Sequence, residues 1–201
     1  MLTAIDLSCS RGERTLFDGL RLAVGPGDWL HVTGENGVGK TTLLRTLAGL
    51  APADAGEISW QGTPVADQPE AFHRALLYLG HHAALKDELT PLENLELGLA
   101  LDGLPVGRVE AMSALETVGL QDREDLPVRH LSAGQKRRVL LARLLLRPAP
   151  LWVLDEPFNA LDGSAVELLG VLLQAHLDRG GMAVLTSHQA VPIGNGGIVA
   201  L

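Results

Sequence analysis

Gly34-Glu35-Asn36-Gly37-Val38-Gly39-Lys40-Thr41 fits the pattern G-x-x-x-x-G-K-[ST]. An apolar segment over 29–33 precedes it, and a helical pattern over 41–50, closed by Pro52, follows it. Strand, glycine loop and helix in that order form the context in which this motif binds phosphate. The glycines let successive backbone N–H groups turn inward around anionic oxygens, and the helix N-terminus adds its dipole. Lys40 then reaches the terminal phosphates, the Thr41 hydroxyl binds Mg²⁺, and Thr42 follows it within the same turn. A nucleoside triphosphate site inside an α/β protein is the expectation.

Working outward, short apolar runs alternate with longer helical patterns, as an α/β chain requires. Strands are expected over 2–7, 20–24, 57–60, 76–79, 151–154, 183–186 and 198–201. From about 85 the pattern turns helical. Thr90-Pro91-Leu92-Glu93 combines an N-cap threonine, a proline at the first helical position and a glutamate at the third. Further helices are expected over 106–118, 131–147 and 164–179. Ser132 and Gln135 form an S-x-x-Q capping box, and Pro148 stops the helix it opens.

Leu151-Trp152-Val153-Leu154-Asp155-Glu156 is a buried-strand pattern that delivers two carboxylates at its C-terminal edge, where open α/β sheets bind ligands. Asp155 suits the surroundings of Mg²⁺, probing from just outside its inner ligands, and Glu156 suits a general base toward water beyond the γ-phosphate.

Leu131-Ser132-Ala133-Gly134-Gln135 narrows the class, because it resembles the signature of ATP-binding cassette (ABC) ATPases, with Ala133 in place of a glycine. The resemblance implies a P-loop ABC ATPase fold with a mixed-sheet core, an antiparallel β subdomain and a helical subdomain at about 85–147, all in one domain over 1–201. It implies that Ser132, Ala133, Gly134 and Gln135 contact ATP bound to the other subunit of a homodimer. Asn159-Ala160-Leu161-Asp162 resembles the loop that crosses that dimer interface, and His188 resembles the histidine that contacts the γ-phosphate. Two positions depart from the family. Arg11 stands where an aromatic residue stacks on adenine, and His81 stands where a glutamine contacts the metal or water side of the site. A guanidinium also stacks on a base.

Within the family, Arg14-Thr15-Leu16-Phe17, Trp60-Gln61-Gly62, Leu79-Gly80-His81-His82, Leu92-Glu93-Asn94-Leu95 and Asp155-Glu156-Pro157-Phe158 resemble the ATP-binding subunits of cytochrome c biogenesis haem exporters. The C-terminus, soon after His188, is short in the same way. The resemblance implies a peripheral subunit on the cytoplasmic face of the bacterial inner membrane, working with integral membrane permease subunits. It further implies that hydrolysis there drives release of a haem-loaded chaperone. Another small ABC exporter is the alternative, and a soluble ABC mechanoenzyme would need a long coiled coil or a second cassette. A GTP-dependent switch would carry Asn-Lys-x-Asp, which does not occur.

Composition agrees with this class. The 201 residues carry 16 Lys and Arg against 24 Asp and Glu, a net charge of −8, which argues against nucleic acid as a partner. The single cysteine, Cys9, allows no intrachain disulfide. No apolar run reaches the length of a membrane span, and the N-terminus has no signal-peptide pattern. Direct haem ligation is not expected: Cys-x-x-Cys-His is absent, and His81 and His82 would point to opposite sides of an extended segment. Lys136-Arg137-Arg138 fan out over a broad helical arc and are expected on a solvated face.

Overall fold

Leu151, Trp152, Val153 and Leu154 are all buried, because the strand they form lies inside a sheet covered on both faces. The structure is a computed structural model that describes residues 1–81, 84–194 and 196–201. Its elements run β1 Leu2–Arg11, β2 Arg14–Val24, β3 Trp29–Thr33, α1 Lys40–Leu47, β4 Ala55–Trp60, β5 Thr63–Pro64, α2 Pro69–Ala75 and β6 Leu76–Leu79. Then follow α3 Pro91–Leu101, α4 Arg108–Thr117, α5 Ala133–Leu146, β7 Leu151–Leu154, α6 Gly163–Asp178, β8 Met182–Thr186 and β9 Gly197–Ala200.

Two sheets divide the strands. One has the order β6-β7-β8-β3-β9 and the other β2-β1-β4-β5. The expected mixture of pairings is separated between them. Every pairing in the five-stranded sheet is parallel, and the antiparallel ladders all belong to the four-stranded one. The parallel register places Leu79 beside Leu154, Leu154 beside Leu185 and Val32 beside Thr186, so the C-terminal ends of β6, β7, β8 and β3 form one edge.

Side chains alternate across the parallel sheet with period two. Trp152 and Leu154 face a core shared with α5, α6 and the helices around them, together with Leu77, Leu79, Ala183 and Leu185. Leu151 and Val153 face a second core, where Leu43, Leu44 and Leu47 of α1 meet Leu2, Ala4 and Leu7 of the antiparallel sheet. The phosphate loop and α1 are thus wedged between the two sheets.

The three helices α3, α4 and α5 pack on one another. Thr90 and Glu93 close a capping box on α3, and Ser132 and Gln135 close one on α5, as the sequence patterns require. The basic triplet departs from its expected exposure. Arg137 is buried, Arg138 pairs with Asp162 at 2.6 Å, and Lys136 pairs with Asp87 at 2.8 Å. The physical reason is that α5 runs through the middle of the fold, so a broad arc of side chains meets protein on more than one side.

Candidate active site

The phosphate loop connects β3 to α1. Gly39 caps α1 with φ at +128°, a conformation that L side chains rarely adopt, and a Cβ there would meet Leu16 at 3.0 Å. At Gly34 a Cβ would stand 2.9 Å from both Val38 and the Leu201 carbonyl. Glycine is therefore required at both positions by space as well as by dihedral. Lys40 folds back over the loop, its Nζ donating to the carbonyls of Gly34 (2.7 Å) and Glu35 (3.0 Å). Both of these acceptors belong to the loop itself.

Beside the loop lies a cavity of about 350 Å³. Asn36, Gly37, Gly39, Lys40, Thr41 and Thr42 line it from the loop side. Asp155, Glu156, His188 and His81 line it from the edge of the parallel sheet, and Arg11, Arg14 and Leu16 from the antiparallel sheet. Gly34, Glu35 and Val38 support the loop without lining the cavity: two carbonyls hold Lys40, and Val38 packs beside Gly34. His82 lies outside the described residues.

The carboxylates are held differently. Asp155 is buried with both oxygens partnered, Oδ2 accepting from the Thr41 hydroxyl at 2.8 Å and Oδ1 from the Thr186 hydroxyl at 2.9 Å. Thr186 Oγ1 accepts in turn from the Glu156 backbone N–H at 2.8 Å. Glu156 is also buried, yet its Oε1 has no hydrogen-bond partner among the described residues. His188 Nε2 stands 3.4 Å from that oxygen without hydrogen-bond geometry. Glu156 also has φ at +50°, uncommon for a residue with a side chain, so its surroundings must hold it in place. A buried carboxylate that keeps an unsatisfied oxygen, in a residue lining a polar cavity, has the chemistry of a proton acceptor.

Arg137 does the holding. Its guanidinium donates to the carbonyls of Gly80 (3.1 Å), Asp155 (2.9 Å), Glu156 (2.6 Å) and Pro157 (3.2 Å). Burial draws its pKa below the ordinary arginine value, and the charges of Asp155 and Glu156 oppose that drop. Sequence reading missed Arg137, and also Thr186, Arg14 and Leu16. Arg14 and Leu16 lay within a quoted segment, and Arg11 was expected at the base, but no local signal says that these two neighbours also reach the cavity.

The signature residues do not line the cavity of their own chain. Ser132 and Gln135 are occupied with each other, Ser132 Oγ accepting from the Gln135 N–H and Gln135 Oε1 from the Ser132 N–H. Ser132 and Ala133 are exposed, which explains how a methyl group is tolerated at 133. At Gly134, by contrast, a Cβ would stand 2.7 Å from the Ala160 carbonyl, so the signature turn rests directly on the 159–162 loop. Asp162 caps α6 through the Ala165 N–H and pairs with Arg138. These bonds hold its pKa down at about 2, the Arg138 hydrogen bond contributing most.

The oxygen chemistry fits a hard divalent cation. Thr41 Oγ1 and the Asp155 carboxylate meet at the end of the phosphate loop, and Mg²⁺ takes its protein ligands as oxygen with few direct contacts.

A family model described as ABC transporter matches residues 17–159. A cytochrome c biogenesis ATP-binding export protein, CcmA, from Dechloromonas aromatica is 53% identical over 193 residues, covering 96% of this chain and 95% of its own. Among solved structures, an ATP-binding subunit of an ABC transporter superposes with a TM-score of 0.84 at 29% identity, covering 94% of this chain and 79% of its own. A dimeric ATP-binding cassette in a post-hydrolysis state, bound to ADP and Pi, superposes with a TM-score of 0.83 at 25% identity, covering 94% of this chain and 88% of its own.

Proposed function

The chain belongs to the ABC transporter family of ATP-hydrolysing subunits, and from that premise we propose how its residues divide the work. The phosphate loop, 34–39, wraps the β- and γ-phosphates with its backbone N–H groups, and Lys40 leaves its loop carbonyls to neutralise them. Thr41 would hold Mg²⁺ directly, with Asp155 behind it, and the ion, when bound, would supply charge stabilisation for phosphoryl transfer. Glu156 accepts the proton of the attacking water, and His188 contacts the γ-phosphate. Thr42, His81 and Arg11 complete the nucleotide contacts within the chain. The unsatisfied, buried Oε1 of Glu156, 3.4 Å from His188 Nε2 in a residue that lines the cavity, is the observation that carries this assignment.

Ser132, Ala133, Gly134 and Gln135 serve the partner's nucleotide in a homodimer, with Asp162 at the interface. The exposure of Ser132 and Ala133 and the separation of all four from the cavity of the same chain support this reading. The helix N-terminus behind Ser132 supplies the dipole for an anion.

No helix among the described residues is long and apolar enough to cross a membrane. The likeness to CcmA supports reading the chain as a peripheral subunit on the cytoplasmic face of the bacterial inner membrane, working with separate permease subunits. The likeness to CcmA supports cytochrome c biogenesis as the process, with hydrolysis driving release of a haem-loaded periplasmic chaperone. Haem is reached through conformational coupling and not by ligation from this chain. Cells carrying Glu156→Gln are expected to accumulate haem-loaded chaperone and to lack mature c-type cytochromes, measured by haem staining of membrane and periplasmic fractions. Normal cytochrome maturation in those cells would remove the haem-exporter assignment and leave the ATPase standing.

A further inference from the structure

The two sheets contribute different chemistry to the nucleotide cavity. The parallel sheet brings Asp155 and Glu156, the proposed γ-phosphate end, on which this inference rests. The antiparallel sheet brings the tip of the β1–β2 hairpin, where Leu16 lies against the phosphate loop at Gly39. With the γ-phosphate at the carboxylates, the rest of the nucleotide extends toward that hairpin.

Arg11 and Arg14 are a cross-strand pair closing the hairpin, and both line the cavity. Gly12, with φ at +64°, makes the tight turn between them. Both are exposed, and neither forms an ion pair or hydrogen bond among the described residues. On the same sheet Arg21, by contrast, is paired with Asp6 at 2.8 Å. Phe, Tyr and Trp are absent from the cavity lining among the described residues, so a base arriving here meets guanidinium groups and the Leu16 side chain.

A guanidinium offers five N–H donors in a planar fork and no acceptor. Guanine presents two adjacent acceptors, O6 and N7, on one edge, whereas adenine places a donor, its N6 amino group, beside N7. A donor-only wall can thus bond guanine twice and adenine once. We propose that Arg11 and Arg14 form a donor-only clamp for the purine edge, which makes this site accept and hydrolyse GTP at least as well as ATP. The chemical step is unchanged. The water oxygen bonds to the γ-phosphorus, the β–γ bridging oxygen leaves on the diphosphate, and Glu156 takes the proton. The absence of Asn-Lys-x-Asp does not conflict with this, because a carboxylate acceptor reads guanine through its N–H donors, on a different edge.

The test is steady-state hydrolysis of ATP, GTP and ITP by the chain with its membrane partners, in wild type and in Arg11→Ala, Arg14→Ala and Arg14→Lys. ITP keeps the O6 and N7 acceptors and lacks the guanine amino group. In wild type, kcat/KM for GTP and ITP should equal or exceed that for ATP. Each alanine variant should raise KM for GTP and ITP about tenfold and KM for ATP by a clearly smaller factor. Arg14→Lys keeps the charge without the fork and should not restore the GTP preference. Equal losses for all three nucleotides would make the arginines simple phosphate counter-charges and overturn the proposal. So would a wild-type kcat/KM for GTP or ITP below one tenth of that for ATP. A wild-type complex that hydrolyses none of them overturns the ATPase reading, and this proposal with it.

Discussion

Glu156 and Asp155 are neighbours in sequence with opposite surroundings. Asp155 has both oxygens partnered by threonine hydroxyls, while Glu156 keeps a buried oxygen without a hydrogen bond. Both follow β7, and the positive φ of Glu156 breaks the strand's alternation, so one strand end brings two differently held carboxylates to the same cavity. The backbone that permits this is held by Arg137. Arg137→Met would fill similar volume while leaving four buried carbonyls without their donor. At roughly 1 kcal/mol per weakened acceptor, partly relieved by water, the loss of stability should be about 3 kcal/mol in urea denaturation. Turnover should fall further than nucleotide affinity, because the residue that drifts is Glu156 and not the phosphate loop. A variant as stable as wild type would show that the four bonds are not structural.

The α5 helix links the two halves of the account. Its N-terminus carries the signature turn, its second turn carries Arg137, and Arg138 reaches across to Asp162 at the start of α6. Because the folded-state pKa of Asp162 lies at about 2, below the ordinary 3.8, its ionised form favours the folded chain. That contribution is present above the unfolded value and disappears as pH falls from about 4 to about 2. Asp162→Asn keeps a capping oxygen and removes the charge. Its melting temperature should lie below wild type at pH 6, with the gap closing across that acid window; a gap independent of pH would rule out the charge as its cause. Much at this scale was legible in the sequence. The bounds of β3, β6 and β7 and both capping boxes followed from local patterns, because each is decided by neighbours along the chain. The short α2 was missed, having only seven residues and no side-chain cap, and β2 runs six residues further toward its N-terminus than its apolar pattern. Arg137, Thr186 and Arg14 were illegible for a common reason: each acquires its role from a partner far away in sequence, across the meeting of two sheets.

At the scale of the whole molecule, a cavity lined by the phosphate loop and two carboxylates and an exposed signature turn lie on one chain without meeting. The geometry makes sense if two chains complete each other's sites. Glu156→Gln isolates this claim, since it removes the proton acceptor and keeps the phosphate loop, Lys40 and the signature turn. Its mass in solution, measured by light scattering with and without saturating Mg-ATP at high protein concentration, tests the shared site directly. The account predicts one chain's mass without nucleotide and two chains' mass with it, holding two ATP, and a return to one chain when Ser132→Arg is added. An unchanged single-chain mass with Mg-ATP bound would contradict it.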